Sequence, residues 1–411
     1  MDDAMERPFR ILMVLDQDFP PDARVENEAR TLQQAGFEVT VLAIAPDDRP
    51  ATDLLEGVRI IRARISAWQR NKMRGLSGTF PFLEWYLVRE IGKIYADWPF
   101  DALHMHDLYL FGGGLKAGRS LDVPVIGDLH ENWVEALKHY AWSTRAPGKW
   151  VVSIPRWQRL ERAWVNAVDG LVVVIEEAAV RNQALGVPEE RIHVVPNTIQ
   201  LADFDGFVEE PALIERLQQR PTILYTGGMD IHRGLASVID AMPDVIVKHP
   251  EAQLVLVGSG RVKPELEAQA QRLGVLNTHV SFEGWQPQAR LKSYMLGSQI
   301  CLVPHLKTVH TDNTIPHKLF HYMYFARPVV VSNCDPLKRI VDETQAGRVY
   351  PAGESAALAS ALVELLGAAD ARDAMGQRGH EAVVDRYHWA KTVTPLIELY
   401  TNLRRRSVPA R

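Results

Sequence analysis

The chain has 411 residues, 46% hydrophobic and 24% charged, with 46 Lys and Arg against 51 Asp and Glu, a net charge of −5. That balance excludes a disordered segment and gives no basic face of the kind nucleic acid requires. Two cysteines, Cys301 and Cys334, are too few for a disulfide framework and fit a reducing compartment. No apolar stretch reaches the ~18 residues of a membrane span, and no signal peptide precedes FRILMVLD, so a cytoplasmic protein is expected.

In chain order, FRILMVLD reads as a first strand. VENEARTLQQAG follows as a helix, with Val25, Ala29 and Leu32 on one face and Gly36 as its stop. FEVTVLAIA, VRIIRARI, FDALHMHD, VPVIGDLH, GLVVVI and RIHVVPN are further strands. After the polar segment Pro196 to Phe207 the alternation restarts with TILYTGG. A helix carrying Leu235, Val238, Ile239 and Met242 comes next, then QLVLVGSG, HVSFEGW, SQICLVPH, RPVVVSN and AGRVYP. Strands alternating with helices predict parallel sheets covered on both faces. Two such series predict two doubly wound α/β domains facing each other across a cleft, with ligands beyond the carboxyl ends of the strands. The expected domains are 1–198, joined by a crossover helix within 389–411, and 199–388. Arg62, Arg64, Arg70, Lys72 and Arg74 around Trp68, and the ending LRRRSVPAR, are two basic clusters. Solvated surface is the plain reading, and peripheral contact with an anionic bilayer the sharper one.

Chemistry concentrates where strands end. In TGGMDIHRGL, Gly227 and Gly228 let a ligand approach the backbone, and Arg233 stands just before a helix start, where N–H groups and dipole favour an anion. VGSG repeats that arrangement with Gly258 and Gly260. Neither loop is a Walker A or a dinucleotide fingerprint. In TDNTIPHKLFHYMYFARPVVVSN, Pro316 suits a first helical turn, and Lys318 lies beside His317 and His321. Arg233 and Lys318 together can neutralise a diphosphate without a metal. In LHMHD, His104 and His106 share one face and Asp107 closes the strand; with no third ligand evident, a metal is not expected. DLHEN places Asp128, His130, Glu131 and Asn132 at another strand end, with His130 directed towards the ligand.

TGGMDIHRGL, VGSG and TIPHKLFHYMYFARPVVVSN, with DARVENEARTLQQAGFEVTVLA, LHMHD, DLHEN and VVPNTIQ before them, resemble in this order family 4 of the retaining glycosyltransferases. The resemblance spans essentially the whole chain. It implies the GT-B fold of two Rossmann-like domains, a sugar nucleotide held mainly by the second domain and an acceptor held by the first. It also implies retention of anomeric configuration and no metal or other cofactor. Arg233 and Lys318 would be the diphosphate cations and His130 the histidine at the donor sugar. Gly227, Gly228, Gly258, Gly260, Asn313, Thr314, His317 and His321 would surround the donor, and Trp285 is a candidate to stack near the base. Asp22, Arg24 and Asp107 are candidates for the acceptor side. The chain also departs from the family. Gly228 takes the place of an arginine, Arg233 that of a lysine, and Asn313 and His321 replace two glutamates, the second of which grips the ribose.

The implied reaction moves a glycosyl group from a nucleoside diphosphate sugar to a hydroxyl of a carbohydrate, lipid-linked or small-molecule acceptor, as in polysaccharide or glycolipid synthesis. A non-catalytic sugar-nucleotide-binding subunit and a nucleotide-sugar epimerase are the alternatives, and nucleic acid is not an expected partner.

Overall fold

A computed structural model describes residues 7–45, 48–138 and 148–407. The chain divides into two compact units, Met1–Pro196 with Val393–Arg411, and Asn197–Thr392.

In the first unit, β1 (Arg10–Leu15), β2 (Glu38–Ala45), β3 (Thr52–Leu55), β4 (Val58–Arg64), β5 (Ala102–His106), β6 (Val125–Leu129), β7 (Gly170–Val173) and β8 (Ile192–Val194) form one sheet. Its order is β3-β4-β2-β1-β5-β6-β7-β8, parallel throughout except where β3 runs against β4. The apolar strands are buried on both faces, as helix-covered parallel strands must be. The helix Phe82–Asp97 turns Leu83, Leu87, Ile91 and Ile94 into that core. β3 escapes the hydrophobic pattern because it is an edge strand whose first three residues are exposed.

In the second unit, β9 (Thr222–Thr226), β10 (Gln253–Val257), β11 (Val280–Gly284), β12 (Ile300–Val303), β13 (Val329–Ser332) and β14 (Gly347–Tyr350) lie in the order β11-β10-β9-β12-β13-β14. Every pairing in this sheet is parallel. The helix Leu235–Lys248 covers one face with Leu235, Val238, Ile239, Met242 and Val245.

The single final helix expected from 389 is two helices. Trp389–Thr392 stays in the second unit, while Thr394–Ser407 returns to the first. Within the second unit the segments on which the chain enters and leaves lie side by side: Trp389 N–H donates to the Ile199 carbonyl at 2.9 Å, and the Thr198 and Thr392 hydroxyls are 2.6 Å apart. The first basic cluster is only partly a surface cluster: Arg64 and Lys72 are exposed, but Arg62 and Arg74 are tied down. Arg62 is 4% exposed and donates to the Phe19 and Pro50 carbonyls and to Asp53, while Arg74 is held by Asp16. Of the basic ending, residues 408–411 lie outside the described residues.

Candidate active site

The second unit gathers cations at the ends of its central strands. After β9, Gly227 turns at φ +128, and a Cβ there would lie 2.6 Å from Lys318 Nζ. The Tyr225 hydroxyl holds the turn by donating to the Gly228 carbonyl at 2.6 Å. The neighbouring glycine loop packs directly on it: a Cβ on Gly258 would meet the Gly227 carbonyl at 2.0 Å, and one on Gly260 the Met229 carbonyl at 2.2 Å. A short 3-10 turn, Ile231–Arg233, leads through Gly234 at φ +70 into the next helix.

Lys318 belongs to the helix His317–Tyr324, for which Pro316 is the N-cap and not a residue of the first turn. Its ammonium lies 3.8 Å from the centroid of the Tyr225 ring. It is buried and has no hydrogen-bond partner among the described residues. Burial, and then the nearby Arg233 charge, hold its pKa well below the ordinary lysine value. Arg233 donates from Nη1 to His305 Nε2 at 2.9 Å, while its Nε is buried without a partner. His305 and His232 complete the group; burial and then Arg233 hold both below the usual histidine value, His232 at about 4. Neither Arg233 nor Lys318 is paired with a carboxylate among the described residues. Two basic side chains with buried, unpartnered nitrogens, at a glycine turn and a helix start, suit an anion.

The other donor-side candidates are placed as follows. Asn313 caps its own turn by donating to the Val309 carbonyl at 2.7 Å, and the Thr314 hydroxyl donates to the His310 carbonyl at 3.3 Å. His317 is exposed at the helix start. His321 packs edge-on against Phe204 at 5.3 Å. Burial and then His317 and Lys318 lower its pKa to about 3, so the ring is neutral. Trp285 is 73% exposed.

The first unit builds a second polar centre at the ends of β5 and β6. Asp128 is fully buried and accepts from Arg24 Nη2 at 2.9 Å and Nε at 3.2 Å. His106 Nδ1 and His130 Nε2 lie 3.2 and 3.0 Å from its Oδ2. Parallel register sets His106 opposite Asp128. His104 reaches the Tyr400 hydroxyl at 2.8 Å from its Nδ1, and Glu28 pairs with Arg24 at 2.9 Å. Glu28, His104, His106 and Asp128 bring ligand-type atoms within 4.8 Å of one another. These are partners that the spacing of two histidines did not reveal. Arg24 already supplies positive charge to both carboxylates, so the cluster is an ionic network around a guanidinium.

Two acceptor-side candidates therefore have other roles. Arg24, 7% exposed, is committed to this network, and Asp22 caps the helix Ala23–Gln34 by accepting from Val25 N–H at 3.0 Å. Asp107 stands at a strand end with φ +71 and accepts from the Tyr109 hydroxyl at 3.2 Å. Burial raises its pKa. Asp16 was not singled out. It ends β1 as Asp107 ends β5, binds Arg74 at 2.8 Å, and is pushed up by burial to about 6. The signal was present, since FRILMVLD closes on a carboxylate just as LHMHD does.

The comparisons agree with this picture. Residues 23–203 match the family "Glycosyltransferase Family 4", and residues 220–368 match "Glycosyl transferases group 1". The chain is 27% identical over 306 residues to a phosphatidyl-myo-inositol mannosyltransferase of Mycobacterium leprae, covering 74% of each chain. It is 24% identical to that of Mycolicibacterium smegmatis over 95% of this chain and 93% of the other. Among solved structures, sucrose-phosphate synthase from Thermosynechococcus elongatus superposes with a TM-score of 0.75 at 18% identity, covering 97% of this chain and 100% of that one. Anabaena Alr3699/HepE in complex with UDP gives 0.70 at 14% identity, covering 96% and 100%. With two parallel-sheet α/β units and a family match in each, the chain belongs to the family 4, group 1 glycosyltransferases of the GT-B fold.

Proposed function

We propose that the protein is a retaining, metal-independent glycosyltransferase that moves a sugar from a nucleoside diphosphate sugar to an acceptor hydroxyl. The observation that carries this reading is the pair Arg233 and Lys318, whose buried Nε and Nζ have no hydrogen-bond partner among the described residues. Charge develops on the departing diphosphate, and prepaid donors stabilise it with little reorganisation. The two cations, with the glycine turn at Gly227 and Gly228, perform the neutralisation that a divalent ion performs elsewhere. The leaving phosphate takes the acceptor proton on the same face, which accounts for retention without a carboxylate nucleophile. His130 orients the donor sugar, and neutral His321 offers the ribose a hydrogen bond where relatives use a glutamate.

The acceptor is held by the first unit, near Asp107. A lipid-linked acceptor is favoured, because Trp68, Phe82 and Trp85 stand exposed elsewhere on that unit, with Lys72 Nζ 4.5 Å from the Trp68 ring. Such amphipathic groups suit peripheral contact with a bilayer surface.

A panel of UDP-, GDP-, ADP- and dTDP-sugars, assayed for nucleoside diphosphate release with and without acceptors, tests the reading. One donor is expected to turn over, and Arg233→Ala to lower kcat/KM by about a hundredfold, the scale of losing one preorganised donor. Absence of turnover with every pair, or full activity in the variant, would defeat it.

A further inference from the structure

His130 is the one histidine of the first-unit network that keeps part of its side chain, 19%, exposed. Its inner nitrogen is tied to a carboxylate that has no access to water. The groups facing it come from three elements: Asp128 from β6, His104, His106 and Asp107 from β5 and its end, and Arg24 and Glu28 from the helix Ala23–Gln34. Their charges do not balance unaided. Arg24 is a single cation set against the carboxyl groups of Asp128, Glu28 and Asp107. Burial holds Glu28 up at about 8, which removes one negative charge at neutral pH. His106 is held neutral, at about 3, by burial and by His104. Arg24 then balances Asp128, and the carboxyl groups of Asp128 and Asp107 are what favour positive charge on His130.

We propose that Asp128 is a positioning residue that clamps His130 as an imidazolium, so that His130 meets the donor as a hydrogen-bond donor and a positive charge, not as a base. With Nε2–H committed to Asp128, protonation places the second N–H on Nδ1, the nitrogen left for a ligand. A neutral ring holding the same Asp128 bond would offer only a lone pair there. The cation suits a departing diphosphate or a sugar hydroxyl acting as acceptor. The supporting electrostatics agree: burial opposes the charge, but Asp128 and then Asp107 outweigh it and raise His130 to about 9.

The role of His130 in turnover rests on the glycosyl-transfer reading above; its pairing with Asp128 does not. At saturating donor, where the bound diphosphate keeps Lys318 charged, the pH profile of kcat is expected to fall on the alkaline side near 9 in the unaltered protein. In Asp128→Asn that limb should move towards ~6.5, the ordinary histidine value, which lowers the rate at pH 8 roughly thirtyfold while donor KM changes little. A variant that loses activity with its alkaline limb in place would show Asp128 to be merely structural and overturn the proposal. Circular dichroism, and UDP or GDP binding by the second unit, report whether the variant is folded. If it is not, the imidazole NMR titration of the unaltered protein decides, with His130 assigned by His130→Gln. A midpoint above 8 supports the clamp, and one below 7 overturns it. Should no sugar nucleotide turn over, the functional reading fails while the titration still judges the pairing.

Discussion

Lys318 has an ammonium enclosed by protein, a ring beneath it, a guanidinium nearby and no acceptor among the described residues. Such a group sheds its proton readily when the site is empty, because burial and a like charge both oppose the ion. An anion reverses both effects, so a diphosphate should take up a proton as it binds. Affinity should then fall as pH rises through the window between the lowered value of the empty site and ordinary lysine near ~10.4, by up to about tenfold per pH unit. Titration calorimetry with UDP or GDP in buffers of different ionisation enthalpy reads the uptake directly. Lys318→Arg, always charged, should bind without uptake, and Lys318→Met should bind weakly at every pH. For the free protein the sign is opposite. Lys318 binds its proton less readily folded than unfolded, so its unfavourable contribution is greatest at low pH and relaxes as pH rises through the same window.

At the scale of elements, the two glycine loops and the junction at Gly234 shape the proposed anion site. A Cβ on Gly234 would sit 1.9 Å from the Pro304 carbonyl, at a φ of +70 that already costs an L-residue about 1–2 kcal/mol. Gly234→Ala should therefore destabilise the second unit markedly in thermal unfolding. Gly36→Ala, with nothing within 4 Å of its Cβ at φ +86, should show the backbone cost alone, about 1 kcal/mol. Legibility in the sequence follows the same physics. The apolar runs from FRILMVLD to AGRVYP all became strands, because short, largely apolar runs are what helix-covered parallel strands bury. β3 was missed because an exposed edge strand carries no such signal. The proposed anion site was readable because its glycines and cations lie in short contiguous loops. The Arg24–Asp128 network was not, since its partners are 104 residues apart, one on a helix and the other in a strand, and only the folded unit joins them. Counting arginines misled for a related reason: Arg62 and Arg74 looked like surface charge, yet Asp53 and Asp16 had claimed them.

At the scale of the whole molecule, among the described residues no helix is long and apolar enough to cross a membrane. The first unit is discontinuous: its sheet is closed by Thr394–Ser407, which buries Leu396, Leu399 and Tyr400. Burying each such side chain contributes about 1.5–3 kcal/mol, and Tyr400 also anchors His104. Removing residues 394–411 should lower the unfolding temperature of the first unit by many degrees. UDP or GDP binding should persist in the second, whose residues 197–392 are continuous. A drop in both would show that the last helix supports more than its own unit.

That discontinuity also sets a schedule during synthesis. Residues 197–392 are complete as a contiguous stretch, whereas the first unit, begun earlier, waits for a segment made after the whole of the second. Until then the apolar positions that Leu396, Leu399 and Tyr400 will cover stand open, and His104 lacks its tyrosine. The buried ionic centre beneath His130 should be among the last parts to set. Ribosome-bound chains halted at Thr392 and beyond Ser407, probed by brief proteolysis, should show a protected second unit in both and a protected first unit only in the longer one.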